Sequence, residues 1–319
     1  MKPENIARHI CLLLSAVLTL FSAGVFGQGP VPDVNSILDN TERQTQVYVE
    51  TFKNLLAEET KTFDIYDKKG NVKKHKVIVS TFIVYPLAKD ISRVAEYRNV
   101  ISVDGKPQGG ADKRVEDFFS KIANASSSQK ELGAIEAESL RYDEQVWISG
   151  LTLFQSFVVR NEFRPYFQFK FEGVKPTAGG SVYTVSYRQI KPHAAITVNA
   201  GKDAANSQNY DVEIDSSGDM NARVNGTLTI DAATFAIVAE RRERTVQPVG
   251  VAQPIVVAVD DFSYRPSDFG IFTPARISHL QYRVKLKELQ ATKDISVTFD
   301  YSKFSKPDVE VKSGDVKPD

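Results

Sequence analysis

One stretch of alternating residues constrains the fold of this chain more than any other. Residues 222–246 read ARVNGTLTIDAATFAIVAERRERTV. Leu228 and Ile230 alternate with threonines, a polar turn covers 231–234, and the alternation resumes at Phe235. Period two on both sides of a short turn is typical of an antiparallel hairpin with one covered face. Similar stretches precede and follow it, so the sequence predicts a meandering sheet as the skeleton of the protein.

Residues 1–27 have the form of a secretory signal peptide. Basic residues stand at the start, residues 10–26 are almost continuously apolar, and small residues flank Phe26. The alternative is a membrane anchor, but so short a run with Ser, Thr and Gly is marginal for a core of about 30 Å. We therefore predict cleavage before Gln28 and a mature chain without a transmembrane segment. Export to the periplasm is the expected localisation, with the extracellular medium as the alternative.

The composition is that of a folded protein with no general affinity for polyanions. Of 319 residues, 42% are hydrophobic and 25% charged, which excludes a disordered chain. Signal removal takes two basic residues and one acidic residue from totals of 40 each, which leaves a net charge of −1. A nearly neutral chain gives no general reason to expect nucleic acid or an anionic membrane surface as a partner. The one cysteine, Cys11, lies in the signal segment, so the mature chain has no disulfide.

Two segments of the mature chain favour helices. Apolar positions recur three or four apart between 33 and 56, which predicts one long amphipathic helix with Asp33 as its N-cap. Residues 111–142 are helix-favouring and largely polar, and they predict a helical insertion made of helices at 112–122 and 128–141.

The rest of the mature chain is predicted to form a succession of strands. Besides the two strands of the hairpin within 222–246, strands are predicted at 58–66, 76–85, 95–103, 166–171, 183–187, 210–214, 254–264, 276–288 and 294–304. We expect an α+β fold, in which a curved, half-barrel-like antiparallel sheet of about nine to eleven strands wraps around the N-terminal helix and the insertion. Residues 28–304 form a single domain in this prediction, and 305–319 form a disordered tail.

Several segments resemble known bacterial proteins. RNVISVDGKP (98–107), ESLRY (138–142) and GTLTIDAATFAIVAERRE (226–243) are similar to a family of exported, largely uncharacterised proteins. The hairpin and FSYRPSDFGIFTPARISH (262–279) resemble, more distantly, the half-barrel proteins of outer-membrane lipoprotein sorting, including the periplasmic lipoprotein carrier. The residues that carry this likeness are Tyr264, Gly270, Pro274, Arg276 and Ile277. The resemblance implies an open antiparallel sheet around helices, with lipid or acyl chains bound in its hollow.

Aromatic residues on two successive strands form the candidate ligand groove. Alternation places them on one sheet face: Phe167, Phe169 and Phe171 on the first strand, and Tyr183, Val185 and Tyr187 on the second. One interpretation is that this face packs on the 33–56 helix as ordinary core. The other is that helix and sheet do not close fully and leave an apolar groove.

The titratable residues predict neither a catalytic site nor a metal site. Three histidines follow the signal segment: His75, His193 and His279. They are far apart in sequence, and each is expected at a surface or between strands rather than at zinc. Asp260, Asp261 and Asp268 are the one arrangement that suggests a calcium site, but adjacent strand residues point to opposite faces. No cofactor is predicted.

The end of the central hairpin carries a basic strip. Arg241, Arg242 and Arg244 lie close together, with Glu240 and Glu243 to offset their charge. We interpret this strip as a solvated sheet edge.

Three functions are compatible with the sequence. The leading hypothesis is a non-enzymatic exported protein that binds or carries a hydrophobic ligand in a sheet hollow. The alternative is a structural or interaction module whose sheet face is merely its core. A secreted hydrolase would need two carboxyls about 5–10 Å apart in a cleft. The sequence does not fix the oligomeric state.

Overall fold

The computed structural model of the protein describes residues 32–53, 55–87, 90–124, 137, 139–144, 152, 155–192, 220–248, 250–285, 288 and 290–306. The chain divides into two compact units, Met1–Asp33 and Val34–Asp319, and every element below belongs to the second. Several predictions lie outside the described residues: the signal peptide, His193, the strand at 210–214, most of the helix at 128–141 and nearly all of the tail.

Helix α1 (Val34–Phe52) is the long amphipathic helix that the sequence predicts. Its buried side chains recur three or four positions apart: Ile37, Leu38, Thr41, Thr45, Tyr48 and Phe52. Such a stripe packs against a neighbouring layer. The ring centroid of Phe52 lies 4.8 Å from that of Tyr48 and 6.3 Å from that of Phe82 in the sheet. The helix stops short of residue 56, where the first strand begins.

The described residues form one sheet of eleven strands. They are β1 (Leu56–Tyr66), β2 (Val72–Leu87), β3 (Asp90–Val103), β4 (Lys106–Pro107), β5 (Phe167–Thr177), β6 (Gly180–Gln189), β7 (Met220–Asp231), β8 (Ile237–Pro248), β9 (Ile255–Pro266), β10 (Phe272–Lys285) and β11 (Gln290–Ser305). Their order is β4-β3-β2-β1-β11-β10-β9-β8-β7-β6-β5, so the first and last long strands pair and join two meanders. Every pair of neighbours is antiparallel: the predicted α+β class and antiparallel sheet are confirmed.

Helix α2 (Ala111–Asn124) begins the predicted helical insertion. Its Phe118 is buried against two tyrosines of the sheet, with ring centroids 4.9 Å from Tyr85 and 4.0 Å from Tyr97. In the part of the chain that the structure describes, no helix combines the length and the apolar character needed to cross a membrane.

Alternate residues of the strands form the inner face, by which we mean the face of the sheet that packs with α1. Its apolar members include Phe63 on β1, Phe299 on β11, Ile277 on β10, Phe262 on β9 and Leu228 on β7. Register joins these positions across the sheet, since Ile277 lies opposite both Phe299 and Phe262. The inner face therefore runs continuously across the sheet.

The central hairpin lies where the alternation predicts it. Strand β7 pairs with β8, and Leu228 and Ile230 are fully buried on the inner face. The Asp231 carboxylate closes the turn by accepting hydrogen bonds from the backbone N–H of Thr234 at 2.8 Å and from its hydroxyl at 2.8 Å. Phe235 follows with a φ of 60°, a left-handed conformation that reverses the chain direction at the turn.

Candidate functional site

The six residues of the predicted groove lie side by side on β5 and β6. Phe169 is opposite Tyr187 and Phe171 is opposite Val185, so alternation and pairing put them on the inner face. Ring centroids are 6.3 Å apart between Phe169 and Tyr187, and 6.0 Å apart between Phe171 and Tyr183. The sequence thus identified a real aromatic surface, although its role in ligand binding stays a prediction.

Burial divides these residues into two groups. Phe167, Val185 and Tyr187 are buried and belong to the core. The half-buried group, which we call the aromatic rim, consists of Phe169, Phe171, Tyr183 and, from the β7–β8 turn, Phe235. The ring of Phe235 lies 6.0 Å from that of Tyr183. The rim therefore extends the core outward as a continuous, partly exposed apolar surface.

Tyr187 connects the aromatic surface to a buried ion pair on β8. Its hydroxyl donates to Glu240 Oε1 at 2.5 Å. The Glu240 carboxylate also accepts two hydrogen bonds from Arg242, each at 3.0 Å, and both side chains are almost fully buried. The guanidinium carbon of Arg242 lies 4.8 Å from the ring centroid of Phe262, so apolar groups surround the ion pair.

Asp260 is the centre of a second buried group on the next strands. Its carboxylate pairs with Arg244 Nη2 at 2.8 Å, and its Oδ1 lies 2.7 Å from His279 Nδ1. An ionised carboxylate only accepts hydrogen bonds, so Nδ1 of His279 carries the proton and donates it. Among the described residues, Nε2 of His279 and the hydroxyl of Tyr264 are buried polar atoms with no hydrogen-bond partner.

A third group lies on β1 and β3. Arg98 bonds to Glu59 at 2.7 Å and pairs with Glu96 at 3.0 Å, all three side chains being buried. Nearby, Lys61 Nζ bonds to Asp143 Oδ1 at 2.8 Å. Buried charges are costly unless they are paired, and each of these has an opposite charge in contact.

The pKa shifts follow from burial and pairing. Burial disfavours the charged form of Asp260, but Arg244 and the hydrogen bond from His279 outweigh it and hold the pKa of Asp260 well below its usual range. Burial, with Glu240 adding to it, raises the pKa of the Tyr187 hydroxyl. Burial lowers the pKa of Lys61, against the attraction of Asp143. At neutral pH, Tyr187 is therefore a neutral hydrogen-bond donor.

The predicted solvated basic strip is wrong for two of its three arginines. Arg242 and Arg244 are buried on the inner face together with Glu240, whereas Arg241 faces outward, where it pairs with Asp261. The cause is the strand period, because residues two apart share one face of a sheet. Extending the alternation of Leu228 and its partners along β8 would have located these inward charges.

His75 and His279 each contact an aspartate on a neighbouring strand. His75 Nδ1 lies 2.7 Å from Asp64 across strands, at the surface. Asp260 and its neighbour Asp261 lie on opposite faces, as expected. Across the described residues, no three His, Cys, Asp or Glu side chains are grouped as metal ligands would be.

The fold defines an α+β protein with an open antiparallel sheet whose inner face combines an aromatic rim with buried ion pairs. One similar solved structure is an outer-membrane lipoprotein-sorting protein domain from Vibrio parahaemolyticus, with 8% identity, a TM-score of 0.29, and coverage of 85% of this chain and 95% of that chain. Another is a LolA-superfamily protein from Nitrosomonas europaea, with 9% identity, a TM-score of 0.30, and coverage of 84% and 95%. No family model and no curated protein matches the chain.

Proposed function

We propose that this chain is an exported protein that binds or carries an apolar ligand, a lipid or an acyl chain, in the periplasm. The observation that carries this proposal is the aromatic rim. Phe169, Phe171 and Tyr183 belong to the inner face yet are only partly buried, while Val185 beside them is fully buried. Apolar side chains that line a concave surface without being covered are typical of a ligand site.

The contacts of α1 support a sheet that curves around the helix. Tyr48 and Phe52, one helical turn apart, touch Tyr264 on β9 and Phe82 on β2, each at 6.3 Å between ring centroids. In a flat sheet four strand spacings of about 4.8 Å would separate β2 from β9. One turn of helix reaches both strands more readily when the sheet bends toward it. A curved sheet of this kind would leave its outer strands, where the rim lies, only partly covered.

Two of the buried carboxylates on the inner face, those of Asp260 and Glu240, support binding rather than catalysis. A general acid or base works best when its pKa lies near the working pH. Asp260 is instead held ionised by Arg244 and His279, and Glu240 is engaged by Arg242 and Tyr187. These groups serve the fold, and a carrier without enzymatic activity is the function that we propose.

Substitution of Phe169 tests the proposal, and Phe167 offers a matched control on the same strand. A fluorescent fatty acid should bind the wild type, and Phe169→Ala should weaken that binding. Because Phe169 is half-buried, its truncation should cost less stability than the roughly 3–5 kcal/mol expected for a fully packed Phe. Phe167→Ala, at a buried position, should lose that full amount in urea unfolding.

The alternative function is a structural or interaction module with a filled inner face. The burial of Phe167, Val185 and Tyr187 is the observation that favours it. A wild type that binds no fatty acid, together with an equally large loss of stability in Phe167→Ala and Phe169→Ala, would end the carrier proposal and leave this module.

A further inference from the structure

The tip of the β1–β2 hairpin is the most strongly charged exposed stretch that the structure describes. Residues 67–76 read DKKGNVKKHK and hold five lysines against one aspartate. Residues 68–75 are all exposed, and Gly70 provides the positive φ of 84° that the turn needs. We call residues 67–76 the basic tip. The near-zero net charge of the whole chain does not reveal this local concentration of positive charge.

Nearby carboxylates neutralise the basic tip only at its base. Glu144 pairs with Lys74 at 2.7 Å and also with Lys76. Asp67 is used by the turn itself, since its Oδ1 accepts the backbone N–H groups of Lys69 at 2.7 Å and Asn71 at 3.0 Å. Within the described residues, the ammonium groups of three exposed lysines make no ion pair: Lys68, Lys69 and Lys73.

The β10–β11 hairpin lies beside the basic tip and does not oppose its charge. Ile65 on β1 pairs with Ile295 on β11, so the two hairpins extend in the same direction. There Arg283 pairs with Asp294, and the Lys293 ammonium lies 5.6 Å from the ring centroid of Tyr66. Lys285 also pairs with Glu288, so among the described residues the neighbouring hairpin adds the charge of Lys293 alone to that of the basic tip.

We propose that the basic tip docks the protein on an anionic lipid surface, where a carrier would take up or release its ligand. This inference rests on the proposed carrier function. All five basic residues with permanent charge are lysines, which act as mobile point charges, whereas fixed recognition of carboxylates in a partner protein favours the planar fork of arginine. The tip also presents no aromatic anchor of the kind that dominates protein–protein interfaces. A diffuse, fluid layer of phosphate groups is the surface that fits these features.

Vesicle binding tests the proposal directly. Wild-type protein should co-sediment with phosphatidylcholine vesicles that contain about one third phosphatidylglycerol, and much less with phosphatidylcholine alone, because juxtamembrane lysines are attracted to anionic lipid. Each lysine contributes roughly fivefold, so Lys68→Glu/Lys69→Glu/Lys73→Glu should bind on the order of 100-fold more weakly or worse. Added salt should weaken the wild type, since such attraction is screened.

Two control variants test whether vesicle binding depends on the position of the lysines rather than on net charge, and on their charge rather than on the lysine side chain itself. Lys113→Glu/Lys175→Glu/Lys191→Glu makes the same change in net charge at exposed positions elsewhere and should bind nearly as the wild type does. Replacement of the three tip lysines by arginine keeps the charge and should preserve binding. Equal loss in both glutamate variants would overturn the proposal, and so would equal binding to the two kinds of vesicle.

The outcome distinguishes this inference from the carrier function on which it rests. The tip lies away from the aromatic rim, so the tip variant should still bind a fluorescent fatty acid. If the wild type binds the fatty acid but does not bind anionic vesicles, only the proposal that the basic tip docks on lipid is overturned. If the wild type binds anionic vesicles through the basic tip but takes up no fatty acid, the proposed carrier function is overturned and the proposed docking role of the tip is retained.

Discussion

The ring of Tyr187 lies over Gly226 on the neighbouring strand and fills the space of its missing side chain. The two residues are opposite one another in the β6–β7 register. A Cβ atom placed at 226 would lie 2.4 Å from the Tyr187 hydroxyl oxygen and 2.3 Å from the carbonyl oxygen of Arg241. This close approach is what allows the hydroxyl to reach Glu240 at 2.5 Å. The glycine therefore serves the aromatic surface and the buried ion pair together.

Gly226→Ala should destabilise the protein by about 1–3 kcal/mol or more, because Tyr187 or the β8 backbone must shift to admit a methyl group. Urea unfolding measures the loss. Gly179→Ala is the control, since a Cβ at 179 meets nothing within 4 Å and should leave the midpoint nearly unchanged. Equal midpoints for the two variants would contradict the packing of Tyr187 on Gly226.

Arg242 and Arg241 are adjacent residues with opposite environments, and they should respond differently to the same substitution. Arg242→Met removes one partner of a buried ion pair and leaves the Glu240 side chain in the core without it, which should cost roughly 3–5 kcal/mol. Arg241 is about half-exposed, and Arg241→Met breaks a surface pair with Asp261, which should cost at most about 1 kcal/mol. Thermal unfolding of the two variants measures this contrast. A larger loss of stability in Arg241→Met than in Arg242→Met would mean that the strand register described for β8 is incorrect.

The sequence predicted the strands of this fold better than the contents of its interior. Leu228 and Ile230 identify β7 because their apolar side chains alternate with polar ones, and the structure buries both. On β8 the inward positions are Glu240, Arg242 and Arg244, so the same face no longer appears apolar. Glu240 and Arg242 pair with each other on β8, but the group also needs partners that the local sequence does not contain.

Those partners come from other strands of the sheet. Arg244 pairs with Asp260 on β9, and Asp260 bonds in turn to His279 on β10. No local rule connects three positions so far apart along the chain, because they meet only when the sheet order is known. The same limit applies to the aromatic surface: alternation placed Phe167 and Phe169 on one face, but how far each is covered depends on long-range packing.

The signal-peptide prediction has its own test at the N-terminus. If residues 1–27 are removed on export, the mature protein should begin at or near Gln28 and be recovered from the periplasmic fraction. N-terminal sequencing of protein purified from its own cells measures this. Met1 on membrane-bound material would refute the prediction and favour the membrane anchor.

Asp260 should make the stability of the protein depend on pH in a defined direction. Its pKa in the folded protein lies below the unfolded value of about 3.9, so its contribution is fully present above that value and is lost as the pH falls below it. Asp260→Asn removes the charge that Arg244 and His279 face, which should cost roughly 3–5 kcal/mol at neutral pH. The difference in unfolding free energy between wild type and variant should stay constant from pH 7 to about pH 5 and shrink below about pH 4. Asp261→Asn, at the exposed neighbouring position, should show a small difference throughout. A wild-type advantage over Asp260→Asn that persists unchanged at pH 3 would mean that the Asp260 carboxylate is not what Arg244 and His279 hold in place.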